Sequence, residues 1–436
     1  MKNILIKKLE DKSLKVAVVG LGYVGLPLAL EFSKSGYETV GVDISKERIE
    51  ALNSFKSYVS DVPESELKSA ISSGLMKATT DFSCIASVDF IAVCVPTPLD
   101  HQQPDLTCVK ESLRSISEFL KKGSMVVLES TTHPGTTEGV AKDIIEKNSL
   151  LLCSRDFYLG FSPERVDPGN PEFNISNTAK IVAAIGEDAL EVISRVYGEI
   201  LKSKIHKVSS PSVAEMEKIF ENTYRNINIA LVNEMAVLCN KMNINVWEVI
   251  EAAKTKPYGF HAFYPGPGLG GHCIPLDPYY LSWKAREYDF HTSMIEVSAV
   301  INDSMPEYCV GRISKILNAF QKPLNGSKIL VLGIAYKRDI SDCRESPVLR
   351  ILEKLKNAGA RVDFYDAFVP KYIWKKQVFV GLETINENNI KGYDLVLIAT
   401  DHSNVDYDMV AKSSKAVFDT RNALKNVEDR QNIELL

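Results

Sequence analysis

A glycine-rich motif near the amino terminus has the spacing of a site for a dinucleotide pyrophosphate. Gly20, Gly22 and Gly25 follow a β-branched apolar run, and a helical pattern begins directly after them. Glycine at these positions permits a tight turn, a close approach of the backbone to the phosphates and close packing of the helix. Asp43, at the end of the next apolar run, can accept hydrogen bonds from ribose hydroxyls and would repel a 2′-phosphate. The motif predicts an NAD site, although the nearby Arg48 weakens the preference over NADP, and a turn without a ligand is the alternative.

A second candidate site is a cysteine in a segment rich in glycine and proline. Residues 264–277 read YPGPGLGGHCIPLD, a composition that disfavours regular secondary structure. Structural cysteines usually lie in apolar helices or strands, whereas Cys273 does not. Gly270 and Gly271 would permit close approach by a ligand, and His272 or a nearby cation would favour the thiolate. The residues alone leave two interpretations open, a nucleophile or a cysteine that packs the loop.

A third candidate site lies on a long predicted helix between residues 211 and about 242. Its apolar residues are three and four apart, namely Val213, Met216, Ile219, Phe220, Tyr224, Ile227 and Leu231. Lys218, Asn222 and Arg225 are four and three apart, so they share a face and could converge on one ligand. The alternative is a solvated stripe in which Glu221 pairs with Arg225. Asn222 and Asn226 argue against plain scaffolding, because asparagine is a poor helix former.

The elements that must position these residues are strands that alternate with helices. Apolar strand patterns precede Gly20, end at Asp43, and recur at residues 88–95 and 125–128. The same series returns at residues 328–333, 361–366 and 393–400, where the GxGxxG spacing is lost, so this half should not hold a dinucleotide in the same way. The sequence predicts an α/β protein with two Rossmann-like doubly wound domains joined by a helical central domain. We expect the boundaries 1–208, 209–320 and 321–436.

Composition excludes several classes of function. The chain has 436 residues and a formal net charge of −5, which disfavours a nonspecific nucleic-acid binder. No apolar run is long enough to span a membrane, and the amino terminus lacks the pattern of a signal peptide, so we expect a cytoplasmic protein. Eight cysteines without a CxxC pair indicate reduced thiols, and no metal site is expected.

Taken in order, the motifs resemble the UDP-glucose/UDP-N-acetylhexosamine 6-dehydrogenases, NAD-dependent enzymes that oxidise a nucleotide-sugar alcohol twice to the uronic acid. The resemblance covers nearly the whole chain. It rests on the GLGYVG motif, EST at 129–131, FSPERV at 161–166, the helix with Lys218 and Asn222, GGHC at 270–273 with Asp277, and GIAYKRDISDCRESP at 333–347. The segments PGPGLGGHCIPLDPYYLSWKA and ENTYRNINIALVNE are most similar to the UDP-N-acetylglucosamine 6-dehydrogenase branch.

The resemblance implies a role for each candidate residue. Cys273 would attack the C6 aldehyde, Lys218 and Asn222 would stabilise the oxyanion, and Asp277, with Lys218 or a water, would be the general base. Glu164 would assist the hydrolytic water, and Thr131 would position cofactor or water. Implied cofactor contacts are Gly20, Gly22, Tyr23, Val24, Gly25, Asp43, Arg48, Pro96, Thr97, Thr131 and Arg344. Implied substrate contacts are Glu164, Arg165, Val166, Lys218, Asn222, Arg225, Tyr264, Gly268, Lys337 and Arg421.

Some positions depart from the pattern of the UDP-glucose members. Leu276 stands where many of them have lysine, and Pro168 where they have a second glutamate, which favours an N-acetylated sugar. The arginine that a neighbouring subunit contributes lacks a match, and Lys256 or His261 would replace it. The resemblance implies a homodimer or larger assembly, with the 211–242 helix as the interface. The alternatives are another UDP-sugar (UDP-glucose, UDP-GalNAc or UDP-ManNAc), a two-electron β-hydroxyacid dehydrogenase, or a non-catalytic nucleotide-sugar sensor.

Overall fold

The computed structural model describes residues 1–59, 62–167, 170, 172–271 and 273–436. These residues form two compact units. The first comprises Met1–Glu221 and Tyr279–Phe290, and the second comprises Asn222–Pro278 and His291–Leu436. The positions Pro168 and His272, which carried expectations above, lie outside the described residues.

The first unit is built on a sheet that has eight strands in the described residues. Their order across the sheet is Ile205–Lys207, Lys180–Ala184, Tyr158–Phe161, Met125–Leu128, Phe90–Val93, Val16–Val19, Thr39–Val42 and Met76–Thr79. Neighbours are parallel except for the antiparallel pair Tyr158–Phe161 and Lys180–Ala184. Val16–Val19 is wholly buried, because a parallel sheet is covered on both faces. The strand order reverses at Val16–Val19, where such sheets bind ligands beyond the carboxyl ends of their strands.

Helices cover this sheet and bury one face each. They are Lys2–Glu10, Gly25–Lys34, Lys46–Asn53, Glu64–Ser72, Thr107–Phe119, Lys142–Ser149 and Glu187–Ile200, with shorter helical segments at Phe82–Ser87, Thr136–Ala141 and Arg286–Tyr288. Thr107–Phe119 illustrates the pattern, because Val109, Leu113 and Ile116 are buried at a helical spacing. A short antiparallel pair, Leu99–Asp100 and Gln103–Pro104, lies in this unit.

The middle of the chain is helical, as the sequence predicts. Its helices are Pro211–Lys241, Val246–Lys254, Asp277–Ala285 and Ser293–Ala319, the last of which contains Pro306. The described residues between Lys254 and Asp277 form no helix or strand, in agreement with their glycine and proline content. The boundary between the two compact units falls inside the first of these helices, after Glu221.

The second unit contains a five-stranded sheet in which all neighbouring strands are parallel. Its order is Arg361–Tyr365, Lys328–Leu332, Leu395–Ile398, Val417–Asp419 and Ile433–Leu435. The accompanying helices are Pro347–Asn357, Glu387–Ile390 and Tyr407–Ser413, and Lys371–Trp374 pairs with Gln377–Val380 in an antiparallel hairpin. The central three strands repeat the order of the first sheet around Val16–Val19. This confirms the predicted fold class of two Rossmann-like sheets with a helical segment between them.

None of the helices among the described residues is long and apolar enough to cross a membrane.

Candidate active site

The glycine motif follows the strand Val16–Val19 and has the shape that a bound phosphate requires. Gly20 has a φ of +92°, and a Cβ there would lie 2.7 Å from the carbonyl oxygen of Cys94. A Cβ on Gly25 would collide with the Gly20 carbonyl oxygen, whereas one on Gly22 would meet nothing within 4 Å. Gly20 and Gly25 are therefore needed for packing, and Gly22 leaves open space over the turn. A dinucleotide pyrophosphate fits such a cradle.

Other predicted cofactor residues surround this turn. Tyr23 is 46% exposed, and Val24 is the N-cap of the helix Gly25–Lys34. Asp43 is buried and accepts hydrogen bonds from the backbone N–H groups of Leu21 and Ser45, both at 2.9 Å. These bonds fix the carboxylate at the end of its strand, beside the glycine turn.

Arg48 lies next to that carboxylate. Its Nη1 is 3.2 Å from Asp43 Oδ2, and its guanidinium lies over the ring of Tyr58, 5.6 Å from the ring centroid. The Tyr58 hydroxyl donates to the Leu21 carbonyl at 2.7 Å and so ties the glycine turn to the following segment. Local sequence patterns do not reveal this role of Tyr58, because the contact joins residues far apart in the chain.

The ends of two neighbouring strands supply the next group of residues. Pro96 and Thr97 follow Phe90–Val93, and Ser130 and Thr131 follow Met125–Leu128. The Ser130 hydroxyl donates to the Val95 carbonyl at 2.7 Å, and the Tyr280 hydroxyl donates to the Thr97 carbonyl at 2.6 Å. Because the strands are parallel neighbours, Thr97 and the half-buried Thr131 lie at the same edge of the sheet.

A buried ionic cluster that sequence reasoning missed lies behind this edge. The Lys180 ammonium donates to Glu129 and to the Pro163 carbonyl, and the Tyr197 hydroxyl donates to the other oxygen of Glu129. Burial alone would lower the pKa of Lys180, but the carboxylates of Glu129 and Glu164 outweigh it and raise that pKa. In the sequence, Glu129 stands out only as part of the EST motif, and Lys180 only as a lysine at the start of an apolar strand. Neither pattern predicts that the two side chains meet.

Glu164 is held next to this cluster. Its Oε1 accepts from the backbone N–H groups of Arg165 and Val166 at 2.7 and 2.8 Å. Its Oε2 is buried, has no hydrogen-bond partner among the described residues, and lies 3.7 Å from Lys180 Nζ. The carboxylate is therefore ionically anchored and keeps one acceptor oxygen for a further ligand.

The long helix Pro211–Lys241 places its predicted residues unevenly. Lys218 and Asn222 are 9% and 5% exposed, but Arg225 is exposed. Arg225 therefore differs from Lys218 and Asn222 in burial, because burial depends on what packs over a face and not on periodicity. The alternative pair of Glu221 with Arg225 is not found, since Glu221 binds the guanidinium of Arg165.

Asn222 and Asp277 meet beside the cysteine. Asn222 Nδ2 donates to Asp277 Oδ2 at 2.6 Å, and both side chains are buried. The backbone N–H of Asp277 donates to the Cys273 carbonyl at 2.9 Å, so the cysteine lies one turn before the helix Asp277–Ala285. Cys273 is exposed, whereas the other seven cysteines are buried or half-buried. The structure thus brings together an amide, a carboxylate and an accessible thiol.

The glycines before Cys273 pack against the protein itself. A Cβ on Gly270 or Gly271 would lie 2.5 or 2.8 Å from atoms of Tyr336, and one on Gly268 would lie 2.9 Å from Pro347. The expectation that Gly270 and Gly271 leave room for a ligand is wrong, because Tyr336 occupies that room.

Arg421 lies beside the same segment. Its guanidinium would be 2.6 Å from a Cβ on Gly266, its Nε donates to the Ala399 carbonyl at 2.9 Å, and burial lowers its pKa. Tyr264 stacks on Trp247 and its hydroxyl donates to Glu251 at 2.6 Å.

Two other predicted residues of the last third lie after the strand Lys328–Leu332. The guanidinium of Arg344 binds Asp342 through Nε and Nη2, at 3.0 and 2.7 Å. Lys337 is half-buried.

The two Rossmann-like sheets differ at the aspartate that ends the second strand and binds the turn after the first strand. Asp366 Oδ2 accepts from the N–H groups of Ile334 and Ala335 at 2.7 and 2.9 Å and lies 3.0 Å from His402 Nε2. In the first sheet, the corresponding Asp43 Oδ2 accepts from one backbone N–H and pairs with a half-exposed arginine. Donors of the protein itself therefore take up the hydrogen-bonding capacity of Asp366 Oδ2. Among the described residues no group of three or more His, Cys, Asp or Glu could hold a metal ion.

The dinucleotide turn and the thiol beside an amide and a carboxylate are features of a nucleotide-dependent dehydrogenase. Comparison with known proteins agrees. Models of the UDP-glucose/GDP-mannose dehydrogenase family match the chain as an NAD-binding domain over residues 14–201, a central domain over 212–304 and a UDP-binding domain over 330–426. The chain belongs to this family. It is an oxidoreductase that uses NAD, as the sequence predicts.

Relatives cover almost the whole chain. A UDP-N-acetyl-D-glucosamine 6-dehydrogenase of Pseudomonas aeruginosa is 37% identical, over 97% of this chain and 100% of its own. A UDP-N-acetyl-D-mannosamine dehydrogenase of Pyrococcus horikoshii is 36% identical, over 94% of this chain and 96% of its own. The solved structure of a UDP-D-ManNAc dehydrogenase of Pyrococcus horikoshii has a TM-score of 0.88 at 33% identity and covers 97% of this chain and 99% of its own.

Proposed function

We propose that this enzyme oxidises the C6 alcohol of a UDP-N-acetylhexosamine, with UDP-GlcNAc as the preferred substrate, to the uronic acid in two NAD-dependent steps. The observation that carries the proposal is the buried Asn222–Asp277 hydrogen bond one turn from the exposed Cys273. A dehydrogenase that stopped at the aldehyde would need an acid–base group but no nucleophilic thiol. The two relatives named above support an N-acetylated substrate.

In the first step the enzyme removes a proton from the C6 hydroxyl and directs a hydride to the cofactor. NAD, when bound, supplies the hydride acceptor. Asp277, with Lys218 or an ordered water, takes the hydroxyl proton. Asn222 has two N–H groups, and the one that does not bind Asp277 donates to the oxygen that carries the developing charge, together with the Lys218 ammonium. The product of this step is the C6 aldehyde.

In the second step Cys273 retains the aldehyde. Its thiolate sulfur bonds to C6, and the former carbonyl oxygen takes up a proton, which gives a thiohemiacetal. The hydroxyl proton of this adduct then returns to the general base, a second NAD, when bound, would accept its hydride, and a thioester remains. Water then attacks the thioester, the C–S bond breaks, and the products are the carboxylic acid and the thiol. Glu164, whose Oε2 lies 3.7 Å from Lys180 Nζ and has no hydrogen-bond partner among the described residues, assists that water as the base.

The remaining candidate residues divide between the two nucleotides. We infer that residues 1–208 hold NAD through the Gly20–Gly25 turn and Asp43, that residues 209–320 form the helical central domain with the Cys273 loop, and that residues 321–436 hold the UDP moiety. Arg421 is the proposed ligand of the substrate phosphates, since a guanidinium matches phosphate oxygens bidentately. Its position beside Gly266, in the segment that leads to Cys273, supports this role.

We also infer that the enzyme is a homodimer through the helix Pro211–Lys241. Six large apolar side chains on this helix are exposed at a helical spacing, namely Val213, Met216, Phe220, Tyr224, Leu231 and Leu238. Monomeric proteins rarely expose a contiguous apolar patch, and two copies of one helix can cover each other's stripe around a twofold axis. Of the candidate cross-subunit cations, His261 binds the Tyr224 hydroxyl at 2.7 Å and Lys256 lies over the Tyr258 ring.

The test is the yield of NADH from each of four substrates, UDP-GlcNAc, UDP-ManNAc, UDP-GalNAc and UDP-glucose. We expect two NADH for each UDP-GlcNAc consumed, and a lower kcat/KM with the other three. A yield of one NADH would replace the proposal with a two-electron dehydrogenase. A higher kcat/KM with UDP-ManNAc would retain the mechanism and change the substrate.

A further inference from the structure

Three asparagines on the helix Pro211–Lys241 bind the segment that carries Cys273. Asn222 Nδ2 donates to Asp277 Oδ2 at 2.6 Å. Asn226 Nδ2 donates to the Ile274 carbonyl, and Asn233 Oδ1 accepts from the backbone N–H of Gly266, both at 3.0 Å. The helix therefore contacts the segment in reverse sequence order, which means that the segment runs antiparallel to the helix with Cys273 next to an anchored carbonyl.

A second helix completes the hydrogen bonding of these amides. From Ser293–Ala319, the Ser298 hydroxyl donates to Asn226 Oδ1 at 2.8 Å, and Asn302 Oδ1 accepts from Asn233 Nδ2 at 2.9 Å. Asn302 Nδ2 also donates to the Asn226 carbonyl at 3.3 Å. Asn226, Asn233, Ser298 and Asn302 are all at most 4% exposed. The network is buried and each of its amides has a partner.

Apolar side chains would be the ordinary choice at such positions. Asparagine is a poor helix former, and a buried amide stabilises a fold only when its donors and acceptor are paired. Asn226 donates to Ile274 and accepts from Ser298. Asn233 accepts from Gly266 and donates to Asn302. Each position therefore requires a side chain that can both donate and accept. Leucine could do neither, and aspartate could not donate to Ile274. The residue types are thus explained by the segment that they hold.

We propose that Asn226 and Asn233 are positioning residues that fix the backbone around Cys273 so that its thiol captures the C6 aldehyde before the aldehyde leaves. The inference rests on the proposed two-step function. Asn222 touches the reacting groups in that mechanism, whereas Asn226 and Asn233 act only through the segment 266–274. Small displacements of a reacting group cost about tenfold to a hundredfold in rate, so loss of either anchor should slow the thiol step more than substrate binding.

The first test is Asn226→Asp, which keeps the bond from Ser298 and removes the donor to Ile274. Asn228→Asp is the matched control, because Asn228 lies on the same helix and binds only the Tyr224 carbonyl of its own helix among the contacts described. We expect Asn226→Asp to release aldehyde, trapped by hydroxylamine, and to lower the NADH yield from two towards one. The KM for the UDP-sugar should change less than about threefold, and kcat for acid formation should fall about tenfold or more. Acid formation with the yield and kcat of the control would overturn the proposal.

Hydrogen exchange gives a readout that does not need activity. In the free enzyme, amides of residues 264–277 should exchange about tenfold faster in Asn226→Asp than in the control, while the sheets exchange as before. Unchanged exchange would overturn the proposal. If Asn226→Asp does not fold, the same hydrogen-exchange measurement is made on Ser298→Ala. Faster exchange of the amides of residues 264–277 would support the proposal, and unchanged exchange would reject it. A wild-type enzyme that makes no NADH from any UDP-sugar would refute the proposed function, and exchange would still test the anchors.

Discussion

Glu138 and Glu215 each cap the helix on which the other lies. Glu138 accepts hydrogen bonds from the backbone N–H and hydroxyl of Ser212, at the start of the helix Pro211–Lys241. Glu215 accepts from the backbone N–H groups of Gly135 and Thr137, at 2.7 and 2.9 Å, at the start of the segment Thr136–Ala141. Carboxylates are favourable at helix amino termini. This mutual capping fixes the segment that follows Thr131 relative to the helix that carries Lys218.

Glu215→Gln should destabilise the enzyme at pH 6. If the glutamine amide nitrogen faces the Gly135 N–H, this half-buried donor loses its acceptor, at a cost of about 1–3 kcal/mol. Urea unfolding at pH 6 measures this. Glu138→Gln is the control and should cost less than about 1 kcal/mol, because Glu138 is exposed. Equal losses in the two variants would contradict the assignment.

The effect of Glu215 on stability should depend on pH. Burial raises the pKa of Glu215 to about 7, above its usual value of 4.5. Between these values the folded protein holds a proton that the unfolded chain releases, so this contribution is complete below about pH 4.5 and is lost as the pH rises through 7. The stability of wild type relative to Glu215→Gln should therefore fall between about pH 4.5 and pH 7 and level off above that range. Burial also raises the pKa of Glu217 to about 7. Glu217 is present in both proteins, so its contribution cancels in the difference between their stabilities. A difference that rises with pH would contradict this.

Cys273→Ala should abolish acid formation and leave NAD binding intact. Without the thiol no thiohemiacetal forms, so the NADH yield should fall from two per substrate to at most one. Quenched-flow product analysis and cofactor titration by fluorescence measure the two effects. Cys153→Ala is the control, because Cys153 is half-buried and lies outside the proposed site. Acid formation by Cys273→Ala at the wild-type rate would remove the covalent mechanism.

Asp277→Asn should slow the first oxidation more than it weakens substrate binding. Asparagine cannot take the hydroxyl proton, and only its Oδ1 can accept from Asn222. We therefore expect kcat to fall about a hundredfold or more while KM changes little. Steady-state rates at saturating NAD measure both constants. A parallel rise in KM with unchanged kcat would indicate a binding role instead.

Phe220→Asp should dissociate the proposed dimer. Phe220 is 62% exposed in the single chain, and a carboxylate in the middle of the apolar stripe would be desolvated if a second copy covered it. Light scattering should then give the monomer mass of 48.5 kDa. Leu150→Asp places the same change at an apolar residue that is 84% exposed outside the stripe, and should leave the assembly unchanged. Identical masses for the two variants would reject the interface.

Local patterns predicted the fold class and much of the candidate chemistry. Buried parallel strands need continuous apolar runs, and a tight phosphate turn needs glycine, so both leave their mark in adjacent residues. The NAD cofactor and the family follow from the same local motifs. Cys273, Asn222 and Asp277 were recognisable because they occur in segments whose composition is unusual for a loop or a helix.

Tertiary packing decided what local patterns could not. Periodicity placed Arg225 with Lys218 and Asn222, but only the elements packed over the helix determine which of them is buried. The glycines at 270 and 271 suggested room for a ligand, yet Tyr336, distant in sequence, occupies it. The pairs Glu129–Lys180, Glu138–Ser212 and Asn226–Ile274 join residues that only the fold brings within hydrogen-bond distance. The sequence by itself determined which groups could react, and the tertiary structure decided which of them are buried, paired and held in place, because burial and pairing depend on neighbours far along the chain.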